Sequence, residues 1–342
     1  MTTVLDSSIG IKVESVFGTP VTVDRFPEFI SESMQFKNTY AQSAGQRVGS
    51  RMSRASGRVL EKIDAGGSID LEAVTSGLGL WFQAILGTVT TTVTADVGVY
   101  LQVHTPSLTG PAPSYTLQKG LPPVGGGSVQ AYTFPGSVCE QLEIDFTSAI
   151  VKIATQWLSR EVVSNIAYAA PSYAANAEPL TFVGGEIFIG ATVTKPTAAT
   201  LATTAGPAVA FVKGGKVTVK NNLDGEGFHL GGAGKRTRTS ERGMLDVSGS
   251  LDIELQGTTM RDALLNQTEL TLLLNFEHPS TIGASSSPTL QVYIPVVVFN
   301  DSLPEDNSGK PISTSMNFVA LDSLAASTQP IYVCYQSTDV AV

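Results

Sequence analysis

The sequence predicts a mainly β fold made of two tandem copies of one unit, each with a single helix packed against its sheet. Three observations support this prediction. Small hydroxyl residues are abundant, with 36 Thr and 33 Ser among 342 residues, whereas charged residues make up only 15%. Apolar and polar residues alternate in many short segments, as in half-buried strands. A set of motifs also recurs at one spacing. Threonine favours strands, and Ser and Gly favour the turns between them.

An internal repeat relates the two halves of the chain. Residues 66–72 read Gly-Gly-Ser-Ile-Asp-Leu-Glu, and residues 248–254 read Ser-Gly-Ser-Leu-Asp-Ile-Glu, 182 positions later. Phe36-Lys37-Asn38 matches Val219-Lys220-Asn221 at a spacing of 183, and residues 75–86 align with residues 257–268. Collinear matches of this kind indicate a duplication. We therefore predict an N-terminal arm and first strand in residues 1–30, a first domain in residues 31–170 and a second domain in residues 171–342.

Both copies predict the same series of elements. A strand is followed by a long Gly-rich loop, a second strand, a short helix and further strands. Four apolar residues of the first copy recur at i, i+3, i+4 and i+7 and give the helix one apolar face: Leu78, Trp81, Phe82 and Ile85. Gly87 supplies a C-terminal stop. The strands are predicted at residues 34–36, 69–72, 115–117, 141–147 and 151–157, and at 217–219, 251–254, 270–276, 290–299 and 312–319.

Charge and hydropathy argue against nucleic-acid binding and membrane insertion. The net charge is −9 and the pI is near 4.9, and binding to phosphates depends on positive charge. No apolar run approaches the roughly 18 residues that a membrane span needs. The first residues carry no basic and apolar signal pattern, so we expect no secretion signal. Cys139 and Cys334 are interpreted as two separate buried thiols rather than one disulfide.

Sequence motifs for catalysis and for metal binding are missing or incomplete. His104, His229 and His278 have no His or Cys at ligand spacing, and we interpret them as surface or loop residues. Residues 231–236 imitate a phosphate-binding loop, but Arg236 stands where a Ser or Thr must hold magnesium. No Gly-x-Ser-x-Gly nucleophile motif occurs. We therefore predict no enzymatic activity, no metal site and no cofactor.

Acidic residues recur at every second position in three of the predicted strands. Because side chains alternate between the two faces of a strand, each pair of carboxylates shares a face opposite the apolar residues. One interpretation is an ordinary solvated sheet face. The sharper interpretation is a hydrated wall that repels a polyanion. The residues of this candidate wall are Asp70, Glu72, Glu143, Asp145, Asp252 and Glu254.

Seven of the ten arginines fall in two windows, residues 41–58 and 225–242, which are the same loop in the two copies. Their glycines predict loops that are mobile in the free subunit. No aromatic residues are interleaved for base stacking, so docking on the acidic surface of a neighbouring copy explains the pattern better than nucleic-acid binding. The candidate contact residues are Arg47, Arg51, Arg54, Arg58, Lys235, Arg236, Arg238 and Arg242.

Several segments resemble the major tail tube proteins of long, non-contractile-tailed bacteriophages. They are residues 10–20 (Gly-Ile-Lys-Val-Glu-Ser-Val-Phe-Gly-Thr-Pro), the Gly-Ser-Ile-Asp-Leu-Glu strand with residues 80–87 (Leu-Trp-Phe-Gln-Ala-Ile-Leu-Gly), and residues 313–318 (Ser-Thr-Ser-Met-Asn-Phe). The resemblance implies a β-sandwich with a flanking helix, whose inner sheet joins its neighbours into a barrel. It also implies rings stacked into a tube through which genomic DNA passes.

The resemblance also sets expectations for assembly. Most such proteins carry one tube domain per chain in a six-fold ring, so a duplicated domain implies three chains in a pseudo-six-fold ring, with a hexamer as the alternative. The acidic wall would line the channel, past which double-stranded DNA moves without specific binding, and the arginine loops would connect successive rings. Expected partners are the tape measure, tail terminator and tail tip proteins, and the expected location is the virion tail, after assembly in the host bacterial cytoplasm.

A different class of protein remains as the alternative. It is a carbohydrate-binding β-sandwich protein of a phage tail tip or a cell surface. Exposed aromatic platforms would favour it, but Trp81 and Trp157 lie in apolar patterns that are typical of a core.

Overall fold

Strands dominate the computed structural model, which describes residues 7–175, 177–209, 211–254, 259–300, 313–325 and 327–342. The first half of the chain contains β1 (Ser8–Val13), β2 (Phe29–Glu32), β3 (Gln35–Phe36), β4 (Thr39–Gln42), β5 (Arg58–Lys62), β6 (Ala65–Glu72), α1 (Gly79–Leu86), β7 (Gly87–Val93), β8 (Tyr100–Pro106), β9 (Tyr115–Leu121), β10 (Gln130–Asp145) and β11 (Lys152–Ser159). The second half contains β12 (Gly185–Ile189), β13 (Val193–Thr194), β14 (Thr203–Thr204), β15 (Val212–Lys220), β16 (Asp246–Glu254), α2 (Thr259–Asn266), β17 (Leu270–Glu277), β18 (Thr289–Phe299), β19 (Ser313–Ala320) and β20 (Tyr332–Ser337). The prediction of a mainly β fold with flanking helices is confirmed.

One antiparallel sheet runs through both halves. Its main path follows the order β2-β6-β11-β10-β15-β16-β19-β18-β20-β8-β7. The order β2-β6-β11-β10 of the first half recurs as β15-β16-β19-β18 in the second, and the two series join where β10 pairs with β15. Strands β7 and β8 join the second half instead, because β8 pairs with β20. Since the sheet crosses position 170, the domain limits given above stay a prediction.

Local irregularities recur at the repeat spacing as well. The pairing of β2 with β6 has a bulge at Ile30, and the pairing of β15 with β16 has one at Lys213, 183 positions later. Gly67 and Gly249 both lie where a partner backbone comes close. A Cβ atom on Gly67 would lie 2.4 Å from the carbonyl oxygen of Ser33, and one on Gly249 would lie 2.2 Å from that of Lys216. Bulges and close-approach glycines fix strand register, so the two halves share their local construction.

The helix α1 packs its predicted apolar face into the core. Leu78, Trp81, Phe82 and Ile85 are all buried. Gly87 ends the helix with a φ of 93°, in the left-handed region that favours glycine. The ring of Trp81 packs edge-on against that of Trp157, with 5.7 Å between their centres. Most buried apolar side chains of both halves, including both tryptophans, form one cluster, and a smaller cluster lies beside β8 and β20. The prediction that both tryptophans belong to a core is therefore confirmed.

The predicted surface position is wrong for one of the three histidines. His104 was expected at the surface, but it is fully buried in β8, between β7 and β20 and beside the ring of Phe82. Burial lowers the pKa of His104 to about 3, because a charged imidazole would lose its hydration. The expectation was wrong because β20, which flanks β8 on one side, is distant in sequence.

The two cysteines are buried and free, as predicted. Burial raises the pKa of both thiols, that of Cys334 to about 12, which keeps them protonated and unreactive. Neither helix in the part of the chain described above is long and apolar enough to cross a membrane.

Candidate functional site

The six predicted carboxylates lie on one face of the continuous sheet. Residues that lie directly opposite each other on antiparallel strands share a face of the sheet. The register of β6, β11, β10 and β15 places the carboxylates of β6 and β10 on the same face in this way. Asp252 and Glu254 of β16 extend the same face, because Ser250 lies opposite Lys216. The intervening apolar residues of these strands are buried on the other side. Two rows cross the sheet: Asp70, Ala154, Glu143 and Thr218 in one, and Glu72, Lys152, Asp145 and Lys216 in the next.

Lysines on this carboxylate face offset part of its charge. Lys216 Nζ lies 3.5 Å from Glu143 Oε2, and Lys213 Nζ lies 2.6 Å from Glu254 Oε1. The hydroxyl of Ser31 donates to Asp70 Oδ2 at 2.5 Å. The surface is therefore hydroxyl-rich and mixed in charge, with an acidic excess.

The first arginine window forms a β-hairpin, which we call the arm (residues 39–62). Strands β4 and β5 pair with each other in a separate two-stranded sheet. Large apolar side chains are exposed beside the cations, among them Val48 and Met52. A surface that exposes apolar groups together with arginines is typical of a partner-binding element. Its four arginines are all exposed: Arg47, Arg51, Arg54 and Arg58.

The second arginine window is packed against the first half of the chain and forms no arm. Arg236 is only 3% exposed. Its guanidinium donates to both carboxylate oxygens of Asp64, at 2.7 and 2.9 Å, and to the carbonyl oxygen of Ser159 at 3.0 Å. The expectation of a mobile loop is therefore wrong for this window. Arg236 is also excluded as a contact to a neighbouring ring, because its hydrogen bonds are made inside the chain.

The remaining cations of the second window also have partners within the chain. Lys235 Nζ lies 2.5 Å from Glu161 Oε2. Arg238 lies 2.5 Å from Asp224 Oδ2 and lowers the pKa of that carboxyl. Arg242 lies beside Gly87 at the C-terminal end of α1 and donates from Nη1 to the carbonyl oxygen of Ser107 at 3.3 Å. Burial lowers the pKa of its guanidinium. The exposed arginines of the arm thus remain as the candidates for contacts with a neighbouring chain.

The sheet edge at β2 and β3 is a feature that the sequence analysis missed. Within the described residues these strands pair only with β6, whereas their counterpart β15 pairs with β16 on one side and with β10 on the other. Phe36 on this edge is 65% exposed, but its counterpart Val219, which lies opposite Leu142 of β10, is 2% exposed. The available signal was an aromatic residue between Gln35 and Lys37. An unpaired edge is a template for another strand.

A family model described as phage tail tube protein matches residues 5–320. The chain belongs to the phage tail tube protein family. It is accordingly a structural protein of the bacteriophage virion, located in the tail, and self-assembly and contact with other tail proteins follow from this membership. No curated protein matches the sequence.

Tail tube membership also bears on the enzymatic and carbohydrate-binding alternatives. A structural tail family favours a non-enzymatic role. Both tryptophans of this tail tube protein are buried, so neither provides a platform on which a sugar ring could stack. The carboxylate face, the arm and the β2–β3 edge are the features that a tail tube function can use.

Proposed function

We propose that three copies of this chain close into a ring of six similar units and that stacked rings form the tail tube of a long, non-contractile-tailed phage. The observation that carries the proposal is the junction of β10 with β15, where Gln141 lies opposite Lys220 and Asp145 opposite Lys216. There the two halves join edge to edge, as neighbouring subunits of a barrel would. The recurring strand order, bulges and glycines support two equivalent units per chain. A contact between different surfaces of the same unit gives a closed ring when its rotation closes.

The same junction suggests how chains join. Strand β18 corresponds to β10, because β18 pairs with β19 as β10 pairs with β11. Strands β2 and β3 correspond to β15, because each pairs with the strand that carries the repeated motif. We propose that β2 and β3 of one chain pair with the C-terminal end of β18 of its neighbour. Residues 289–297 of β18 already have β17 on one edge and β20 and β19 on the other. This contact would cover Phe36 as β10 covers Val219.

In the ring, the carboxylate face would line the channel that conducts DNA during ejection. An acidic excess repels the phosphate backbone, and polar hydroxyl groups keep the surface hydrated, so DNA makes none of the counterion-releasing contacts that would arrest it. Near the tip of the arm, Arg47 and Arg51 would contact the adjacent ring. Assembly would take place in the host bacterial cytoplasm, with the tape measure, tail terminator and tail tip proteins as further partners.

The edge contact can be tested by changing Phe36→Lys. A charge on this edge opposes strand addition. Because the side chain of Phe36 is exposed, replacing it should leave the fold of the chain intact. The expected result is a folded monomer that forms no rings or tubes in negative-stain electron microscopy. The matched control is Val97→Lys, an exposed apolar residue in the turn between β7 and β8, which should assemble normally. Cryo-electron microscopy of tubes from the parent chain should show three chains per layer, and six chains per layer would overturn the proposed stoichiometry.

A further inference from the structure

We propose that Arg54 in the arm of one chain pairs with Asp246 of the neighbouring chain and repeats, between chains, the buried ion pair that Arg236 and Asp64 form within one chain. The inference rests on the proposed ring. It assigns a partner to a surface of the second half that the chain itself leaves uncovered.

The repeat places the two arginines and the two aspartates at equivalent positions. Asp64 and Asp246 stand immediately before β6 and at the first position of β16, 182 positions apart. Arg54 and Arg236 each precede their aspartate by ten positions. The two halves therefore carry the same donor and the same acceptor, but the structure joins only one combination, Arg236 of the second half with Asp64 of the first.

The acceptor surface in the first half is a short segment, residues 61–64, that receives the loop of the second half. The backbone N–H of Ile63 donates to the carbonyl oxygen of Gly234 at 2.7 Å. Lys62 Nζ lies 4.8 Å from the centre of the Phe228 ring. Together with the ion pair at Asp64, these contacts give the loop a continuous docking site.

The equivalent segment of the second half, residues 243–246, receives no such loop in the described part of the chain. Its backbone bonds instead to its own half, where the Gly243 N–H donates to the carbonyl oxygen of Asn221 at 2.9 Å and the Met244 carbonyl oxygen accepts from Asn222 Nδ2 at 2.8 Å. Met244 is 87% exposed, and Asp246 is exposed too. In the described residues, the Asp246 carboxylate has no ion-pair partner within 4.0 Å. The segment therefore carries a docked loop in one half and none in the other, as expected if the second loop comes from another chain.

The direction of the observed contact identifies that other chain. The loop of the second half reaches across β10 to the end of β11, at Ser159, and to the start of β6, at Asp64. It thus extends toward the unit that precedes it along the sheet. An arm that extends the same way from the first half reaches across β18 of the preceding chain to the end of β19, at Ala320, and to Asp246. That is the chain whose β18 would pair with β2 and β3.

Arg54 is well placed for this contact. Its carbonyl oxygen accepts hydrogen bonds from the Gln42 side chain at 3.1 Å and from the Gly57 N–H at 3.0 Å. These bonds hold the backbone of the arm at Arg54, while the side chain is exposed. A planar guanidinium can bind both oxygens of a carboxylate, which is the geometry that Arg236 and Asp64 display.

The first test is cross-linking of chains that carry Arg54→Cys together with Asp246→Cys. The Cα atoms of a paired Arg and Asp can lie farther apart than the roughly 7 Å that a disulfide can bridge. The two cysteines are therefore linked with a short bifunctional reagent that reacts with thiols. The native Cys139 and Cys334 are buried and do not compete. Denaturing gels should show species of two and three chains. The control, Arg47→Cys with Asp246→Cys, should give single chains.

The second test is charge reversal. Arg54→Asp alone and Asp246→Arg alone should each raise the protein concentration needed for ring formation by about tenfold, the effect of losing one modest contact. Combining both should restore assembly to within about twofold, because coupled neighbours are not additive. Rings that form normally without a cross-link, or single reversals without effect, would overturn this contact while leaving the ring intact. A parent chain that stays monomeric would overturn both the ring and this contact.

Discussion

Arg236 and Asp64 form a bidentate ion pair across 172 positions of the chain, with N–O distances of 2.7 and 2.9 Å. The pair holds the second-half loop against the start of β6, which is separated by β11 from the junction where β10 meets β15. A buried guanidinium needs a full set of acceptors, because its desolvation is costly. Here the carboxylate and the carbonyl oxygens of Gly225 and Ser159 supply them. The two halves are thus joined by side chains as well as by the sheet.

This ion pair predicts a large loss of stability in Arg236→Ala. The change leaves Asp64 partly buried without its partner, and breaking a buried pair from one side costs about 3 kcal/mol or more. The free energy of unfolding from denaturant titration measures the effect. Arg238→Ala is the matched control, since Arg238 and Asp224 form a solvent-exposed pair, and its effect should be small. Equal losses in the two variants would show that the Arg236 pair adds nothing beyond surface charge.

His104 predicts a pH dependence of stability. Its pKa is lowered from an ordinary value of 6.5 to about 3 in the folded chain. Between these two pH values, His104 is therefore protonated in the unfolded chain and neutral in the folded chain. Stability should fall as the pH drops from 6.5 toward 3, by up to about 1.4 kcal/mol per pH unit. His104→Leu removes the titrating group and should flatten this part of the curve. Parallel stability curves for the parent and the variant would contradict the assignment.

The repeated glycines predict a matched pair of destabilising substitutions. Gly67→Ala and Gly249→Ala would each push a methyl group into the backbone of the adjacent strand. Each should therefore cost about 1–3 kcal/mol through forced strand displacement. Gly225→Ala serves as the control, because nothing lies within 4 Å of its added Cβ atom. Thermal unfolding of the three variants is the measurement, and a Gly249→Ala variant as stable as Gly225→Ala would contradict the close approach.

The carboxylate face predicts an effect on genome delivery without an effect on assembly. Replacing Asp70→Lys and Asp252→Lys together reverses the acidic excess, so DNA phosphates would bind to the channel wall and slow ejection. Tubes should remain intact in electron micrographs. Ejection rates of parent and variant phages provide the measurement. Glu186→Lys, an exposed change on β12 outside the strands of this face, is the control, and equal rates for all three phages would argue against a channel-lining role.

The tip of the arm predicts a defect in stacking that is separate from ring closure. Arg47→Ser and Arg51→Ser together should leave single rings but shorten the tubes, since exposed ion pairs contribute little individually and act here by repetition around the ring. High salt should shorten parent tubes in the same way through screening. Tube length in electron micrographs measures both effects. Tubes of normal length from the variant, stable in molar salt, would remove the arm from the contact between rings.

Local patterns were enough to predict most strands and the helix α1. Alternation assigned the two faces of β6, of residues 141–145 in β10 and of residues 251–254 in β16 correctly, because these segments have one face in the core and the other partly exposed. The burial of His104 and Arg236 was missed, since each depends on residues far away in the chain: Val333 lies opposite His104, and Asp64 binds Arg236. The positions of the arginines in the sequence identified the two windows. They could not show that one window packs against the rest of the chain and that the other is exposed.

The covalent link between β10 and β15 has a consequence for how the proposed ring responds to dilution. Half of the junctions in such a ring lie within single chains, where they form during folding at a high effective concentration. Their entropic cost grows only slowly with the length of the connecting chain. Only the junctions between chains respond to protein concentration. A diluted ring would therefore separate into whole chains that each keep two units already joined, and reassembly would have to form three junctions between chains rather than six.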